Sequence, residues 1–365
     1  MKTLFSILIT LHALIHLLGF LIAFGIGEWT AMTQPVPKIA GVFWLLAFIL
    51  FIVSVILIWS SPNYWWVAGG LAILLSQWLI FLFWQDAKFG TIINAIMLLV
   101  ALTGLAHFRF ERRVRAERKA IMMEQRTPEN LATISDLPAP VANWFKATGI
   151  TDRPIQSAYV SQKIRMKLKP DQAKWYQARA NQYFTLDPPA FHWTVDVTIN
   201  PLVSMSGRDQ FRKGQGEMLI KAFSAIPIVA VSNNAKLNQS SLQRYLAEIV
   251  WFPSAARSPY LTWSPIDNRS ARATMTYQGV SGSGIFTFNE EGEFIRFSAL
   301  RYKDVDEGAK PIEWIIEAQE TKKLNGINVP VMLSVSWRMD NDIWTWLELE
   351  VTGIQYQSVK TLPDH

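Results

Sequence analysis

Cysteine is missing altogether from the 365 residues, and charge is nearly missing from the first 107 of them. The first absence excludes disulfides, zinc–thiolate sites, iron–sulfur clusters and thiol nucleophiles. The second excludes a water-solvated fold for that part of the chain, where only Lys2, Glu28, Lys38, Asp86 and Lys88 are charged. Strong overall charge is lacking too. The formal net charge of +6 is local, residues 109–119 alone contributing +4, and the remainder of the chain after them is close to neutral. No basic face large enough for nucleic acid is present, and none is expected as a partner.

What the first part does contain is apolar runs. Residues 4–26, 39–59, about 65–84 and 90–108 each approach the roughly 20 residues that cross about 30 Å of hydrocarbon. They predict an all-α transmembrane four-helix bundle over 1–108. The first run is too long for a signal peptide and lacks an A-x-A cleavage site. Trp29, Trp59, Trp65, Trp66 and Trp84 fall at the predicted ends, where indole favours the headgroup level. The segment "RFERRVRAERK" (109–119) follows the fourth run and reads as a basic juxtamembrane segment, which together with a helical linker extends to 153. By the positive-inside rule it faces the cytoplasm, and four crossings place the N-terminus there as well. Contacts of this segment with anionic membrane lipids account for it without further function.

From 127 to 148 the pattern predicts two short helices, with a Pro-Ala-Pro break and a stop at Gly149. Beyond 154, period-two alternation takes over. In "AFHWTVDVTIN" Phe191, Trp193, Val195, Val197 and Ile199 share one face, and in "VPVMLSVSWRM" Val329, Val331, Leu333, Val335, Trp337 and Met339 do. In "IWTWLELEV" Ile343, Leu347, Leu349 and Val351 are assigned inward. Asn325-Gly326, Asp340-Asn341-Asp342 and the stretch around Gly292 mark hairpin turns. About ten strands are expected over 154–357, within an antiparallel β domain assigned to 154–365. One helix interrupts them near 240–251, with serine N-caps and Leu242, Tyr245, Leu246, Ile249 and Val250 on one face. Arg244 and Glu248, four apart, are expected to form a solvated ion pair on its other side, and Arg208 and Arg212 to be surface charge. The fold class implied is a four-helix transmembrane bundle plus a β-rich (α+β) domain, a curved antiparallel half-barrel with a covering helix.

The stretches "LPAPVANWF" (137–145), "QYFTLDPPAFHW" (182–193), "GRDQF" with "GEMLIK" (207–221), "RYLAEIVWFPSA" (244–255) and "SARATMTYQGVSGSGIFTF" (270–288) resemble a bacterial family of uncharacterised, membrane-anchored proteins, a domain of unknown function. "YLAEIVWFP" is the most specific of these. At the level of fold alone the domain is also similar to LolA/LolB-type lipoprotein carriers. That resemblance implies acyl-chain binding in a concave face, although those carriers act outside the cytoplasm whereas the basic run places this domain inside. The four apolar runs and the basic segment, with the bacterial family resemblance, imply a multi-pass protein of a bacterial inner (cytoplasmic) membrane.

Candidate sites are few. Trp193, Tyr245, Ile249, Trp251, Phe252, Trp263 and Trp337 are the expected lining of a cavity for a lipid or other hydrophobic small molecule. His12 and His16, four apart on one helical face, could hold haem or a metal; otherwise they are neutral and hydrogen-bonded to backbone, Gln77 or Asn94. No cofactor is expected outside that alternative. No G-x-S-x-G or catalytic histidine set is present in the β domain, so binding is expected rather than enzymatic turnover. The other alternative is a structural or regulatory protein that docks a protein partner and takes no small ligand.

Overall fold

The computed structural model describes residues 2–29, 32–150, 154–201, 203–340 and 342–358. It divides into two compact units. One comprises the chain up to Arg113 with Phe223–Ala225; the other comprises Val114–Ala222 and the chain from Ile226 on.

The first unit is helical: α1 (Lys2–Ala23), α2 (Lys38–Ser60), α3 (Trp65–Leu82), the single turn α4 (Trp84–Ala87) and the part of α5 (Gly90–Glu124) up to Arg113, the last turns of α5 belonging to the second unit. All but α4 are long and apolar enough to cross a membrane. Helix α1 buries Ser6, Ile9, His12, Ala13, His16 and Gly19, a stripe repeating every three to four residues, and exposes Leu4, Ile7, Leu11 and Ile15. Large apolar side chains thus point outward while small and polar ones pack inside, the distribution that hydrocarbon solvent favours. Helix α5 extends well past the fourth apolar run. It runs without interruption through the basic segment to Glu124, because no glycine or proline intervenes and Arg, Glu, Lys and Ala all favour the helix.

Of the two short helices expected next, the first is only a 3-10 turn, Ile134–Asp136, and the second is α6 (Ala139–Ala147). Among the described residues thirteen strands follow rather than about ten: β1 (Ile155–Met166), β2 (Tyr176–Thr185), β3 (Ala190–Thr198), β4 (Ser204–Arg212), β5 (Gln215–Ala222), β6 (Ile226–Val231), β7 (Leu261–Pro265), β8 (Ser270–Tyr277), β9 (Val280–Phe288), β10 (Phe294–Tyr302), β11 (Pro311–Leu324), β12 (Ile327–Met339) and β13 (Asp342–Ser358). Short β6 and β7 carry no clean alternation, which hides them in the sequence.

The strands form one antiparallel sheet in the order β6-β5-β4-β3-β2-β1-β13-β12-β11-β10-β9-β8-β7. Every pairing joins chain neighbours except β1 with β13, which unites two meanders into a curled half-barrel with β6 and β7 as its edges. The hairpin at Asn325-Gly326 has both residues at positive φ, 46° and 89°, the geometry a two-residue turn requires. Asn341 of the next turn lies outside the described residues. A bulge between β12 and β13 shifts the register around Trp346. It turns Trp344 to the face of Trp337 and leaves Ile343 54% exposed, correcting the expected inward Ile343.

Helix α7 (Ala235–Glu248) crosses between β6 and β7, followed by 3-10 turns at Ile249–Trp251 and Pro253–Arg257. Its cap is Asn234, whose side chain accepts from the N–H groups of Lys236 and Leu237. The serines expected as caps lie inside the helix, Ser240 donating to the Tyr302 carbonyl at 2.9 Å. Helix α7 covers the sheet as expected, but without the solvated side expected at Arg244 and Glu248. Residues on every side of it are buried, because the sheet curls around it. Gly216 on β5 permits this approach, since a Cβ there would lie 2.4 Å from Ser241 Oγ and 2.8 Å from the Leu237 carbonyl oxygen.

Candidate functional site: a cavity inside the curled sheet

Cross-strand pairing aligns the inner face in rows. One row runs Gln182, Trp193, Asp209, Met218, Val231 across β2 to β6, and the next runs Ala180, Val195, Gly207, Ile220, Val229. On the other side of the β1/β13 seam, Ile164 faces Leu349, Leu349 faces Leu333, and Val335 faces Leu347. Alternation therefore delivers an apolar concave wall with one polar row set into it.

Protein fills one end of this concavity. Tyr245, Leu246, Ile249 and Phe252 are at most 1% exposed, the Phe252 ring lies 4.7 Å from that of Phe184, and Tyr245 donates its hydroxyl to the Thr185 carbonyl at 2.9 Å. The other end is hollow, a cavity of about 610 Å³. Ile164, Val195, Val197, Leu333, Val335 and Leu347 form apolar parts of its wall, and residues 303–306 another part. Of the seven expected lining residues, Trp193, Trp251 and Trp337 lie in the wall. Tyr245, Ile249 and Phe252 belong to the filled end. Trp263 packs on Phe286, 5.2 Å between rings, and donates to the Ala256 carbonyl at 2.8 Å. These four were expected on the cavity because aromatic content marks a wall and a core equally; depth along the concavity separates them.

The polar row was not legible in the sequence. Arg244, expected in solvent, points into the half-barrel. Its Nη1 donates to Asp209 Oδ2 at 2.6 Å and its Nε to Glu248 Oε1 at 3.0 Å, with the guanidinium 4.7 Å from the Trp193 ring centroid. Gln182 donates to the other Glu248 oxygen at 2.7 Å. Burial pushes the Glu248 carboxyl above its ordinary value, against the pull of Arg244. Across the cavity Arg301 lies 4.4 Å from the Trp314 ring centroid and 5.5 Å from that of Trp337, with Nε donating to the Ser240 carbonyl at 3.0 Å. Burial first, and the Arg244 charge second, bring its pKa down to about 10, so it stays charged at neutral pH.

Arg208 also departs from expectation. Only 2% of its side chain is exposed; it pairs with Glu117 of α5 at 3.1 Å and with Glu217 at 3.0 Å, and His192 Nε2 lies 3.1 Å from the same Glu117 oxygen. Arg212 pairs with Glu124 at 2.6 Å. The last turns of α5 therefore dock on β3 and β4 through buried charge, which a strand's own alternation cannot reveal.

Within the helical unit, His12 Nε2 lies 3.1 Å from Asn94 Oδ1, and His16 Nε2 lies 2.8 Å from Ser76 Oγ, with His16 Nδ1 at 2.9 Å from the His12 carbonyl. Asn94 Nδ2 donates to Ser76 Oγ and to Gln77 Oε1. The pair thus links α1, α3 and α5 by hydrogen bonds. Among the described residues no group of three or more His, Cys, Asp or Glu side chains gathers as a metal would require.

A model of the DUF6920 family, described as a family of unknown function, matches residues 135–356, more than half of the chain. The chain belongs to that family. The match begins at the turn before α6 and ends in β13, so the DUF6920 part includes the cavity and its polar row. Among curated proteins none matches this DUF6920 chain. Among solved structures it is similar to a LolA superfamily protein, NE2245 from Nitrosomonas europaea, at 10% identity and a TM-score of 0.33, with 61% of this chain and 94% of that chain covered.

Proposed function

We propose that this protein is a membrane-anchored binding protein for a lipid or another hydrophobic molecule, held in the hollow end of the half-barrel. The observation that carries the reading is the hollow itself. Protein interiors close up to crystal-like density, and each unfilled void costs stability. A space of about 610 Å³ walled by Ile, Val, Leu and Trp side chains is therefore a site kept open, and it lies within the roughly 300–1,000 Å³ of small-molecule pockets. The four apolar helices supply the anchor. The basic residues 109–119 argue for a bacterial inner membrane with the β domain on its cytoplasmic side.

Native mass spectrometry of the full chain released from lipid nanodiscs tests the reading. The expected result is one retained lipid or fatty molecule per chain, lost in the variant Val335→Trp, whose indole would occupy the cavity. If the wild-type chain carries nothing and takes up nothing from added lipids, or if Val335→Trp retains the same adduct, the reading fails.

A further inference from the structure

Two of the arginines in the cavity wall, Arg244 and Arg301, differ in how they are satisfied. Arg244 is occupied by Asp209 and Glu248 at 2.6 and 3.0 Å. Arg301 commits only Nε, to the Ser240 carbonyl; its two Nη groups have no carboxylate within ion-pair distance among the described residues. Trp314, Trp344 and Trp346 stand in the same wall, and each has an indole N–H without a hydrogen-bond partner among the described residues. Among the described residues, strands β10–β13 thus give this wall unpaired donors and no carboxylate, since Asp304 and Asp306 belong to the loop after β10, where Asp304 pairs with Lys303 at 2.8 Å. Buried polar groups are normally paired, so this surplus asks for an acceptor from outside the chain. A guanidinium is planar, and one whose Cζ lies over two indole rings keeps its remaining N–H groups as a fork, the shape that matches a carboxylate or a phosphate.

We propose that the molecule bound here is an amphiphile with an oxyanion head, a carboxylate or phosphate ester, whose head is taken by Arg301 and whose chain lies along the apolar wall formed by Ile164, Val195, Leu333 and Val335. This rests on the cavity being a site for hydrophobic molecules, and adds the charge and the orientation of the occupant. Arg301 remains cationic at neutral pH, as the head requires.

The test uses the full chain in nanodiscs of neutral phosphatidylcholine with two photoreactive probes, hexadecanoic acid and hexadecan-1-ol, each carrying a diazirine near the head. The acid is expected to label peptides of β10 and β11 roughly ten- to a hundredfold more than the alcohol, the worth of a charge-assisted hydrogen bond. Arg301→Gln is expected to abolish the preference and Arg301→Lys to keep part of it. Equal labelling by acid and alcohol in the wild-type chain overturns the head assignment, whatever the folding of the variants, and leaves the hydrophobic site standing. Survival of the preference in folded Arg301→Gln overturns it equally. Absence of cavity labelling by either probe defeats the underlying reading instead. If millimolar inorganic phosphate abolishes labelling by the acid, Arg301 serves a free anion and the amphiphile is wrong.

Discussion

Replacing Arg244 by methionine isolates what the buried charge row contributes. Methionine keeps the length and apolar contact of the arginine stem but removes two charge-assisted hydrogen bonds, to Asp209 at 2.6 Å and to Glu248 at 3.0 Å, and the cation over Trp193. Asp209 and Glu248 side chains are only 5% and 10% exposed, so both carboxylates would be left in a poorly solvated site. Breaking a buried pair from one side costs about 3–5 kcal/mol, because the orphaned charge dominates the loss. For a domain of this size, at about 2–4 °C per kcal/mol, the β unit should melt roughly 6–20 °C lower. The companion variant Arg244→Met/Asp209→Asn/Glu248→Gln removes every charge of the row and should recover most of that loss. Intrinsic tryptophan fluorescence during thermal unfolding of the detergent-solubilised chain reads both. A single variant that melts within about 2 °C of wild type, which is under about 1 kcal/mol, would mean the row is hydrated. A triple variant no better than the single would locate the cost in packing rather than in charge.

Gly216→Ala places a methyl against Ser241 Oγ and the Leu237 carbonyl, and should destabilise the β unit by about 1–3 kcal/mol in denaturant titration; adding Ser241→Gly should relieve it only partly, since the backbone oxygen remains. Tyr260 donates to Asp187 Oδ1 at 3.1 Å, and burial with that contact pushes its pKa up to about 12. The folded chain thus holds a proton that the unfolded chain releases near pH 10. The stability it contributes is complete below pH 10 and lost as pH rises through about 12; Asp187→Asn should bring phenolate absorbance up at lower pH. Ser76→Ala removes the partner of His16 Nε2 and of Asn94 Nδ2 and should weaken the helical unit by about 0.6–2 kcal/mol in detergent unfolding, the range for hydrogen bonds between membrane helices.

Hydrophobic period carried most of the architecture. The rows Phe191–Val197 and Val329–Trp337 face inward as their alternation requires, and the four apolar helices stand close to where their runs lie. Period fails where the backbone slips. The bulge at Trp346 reverses the phase of β13, so Ile343 and Trp344 exchange faces, and no residue in the stretch announces it. Charge was misread for a different reason. Arg244, Glu248 and Arg208 were assigned to solvent because charged side chains usually belong there. Their burial depends on which strand or helix lies opposite, a property of tertiary pairing that spacing along one element cannot contain. The cavity lies between these cases. Trp193, Trp251 and Trp337 reach it, while Tyr245 and Phe252, from the same aromatic cluster, pack in the filled end.

An unclosed sheet has two borders at which another chain could add a strand. Both borders here carry proline, Pro227 within β6 and Pro265 at the end of β7. Proline has no N–H to offer, so a strand from a second copy would meet an interrupted ladder at either border. The half-barrel can remain open to an oily guest without recruiting its own kind into fibres.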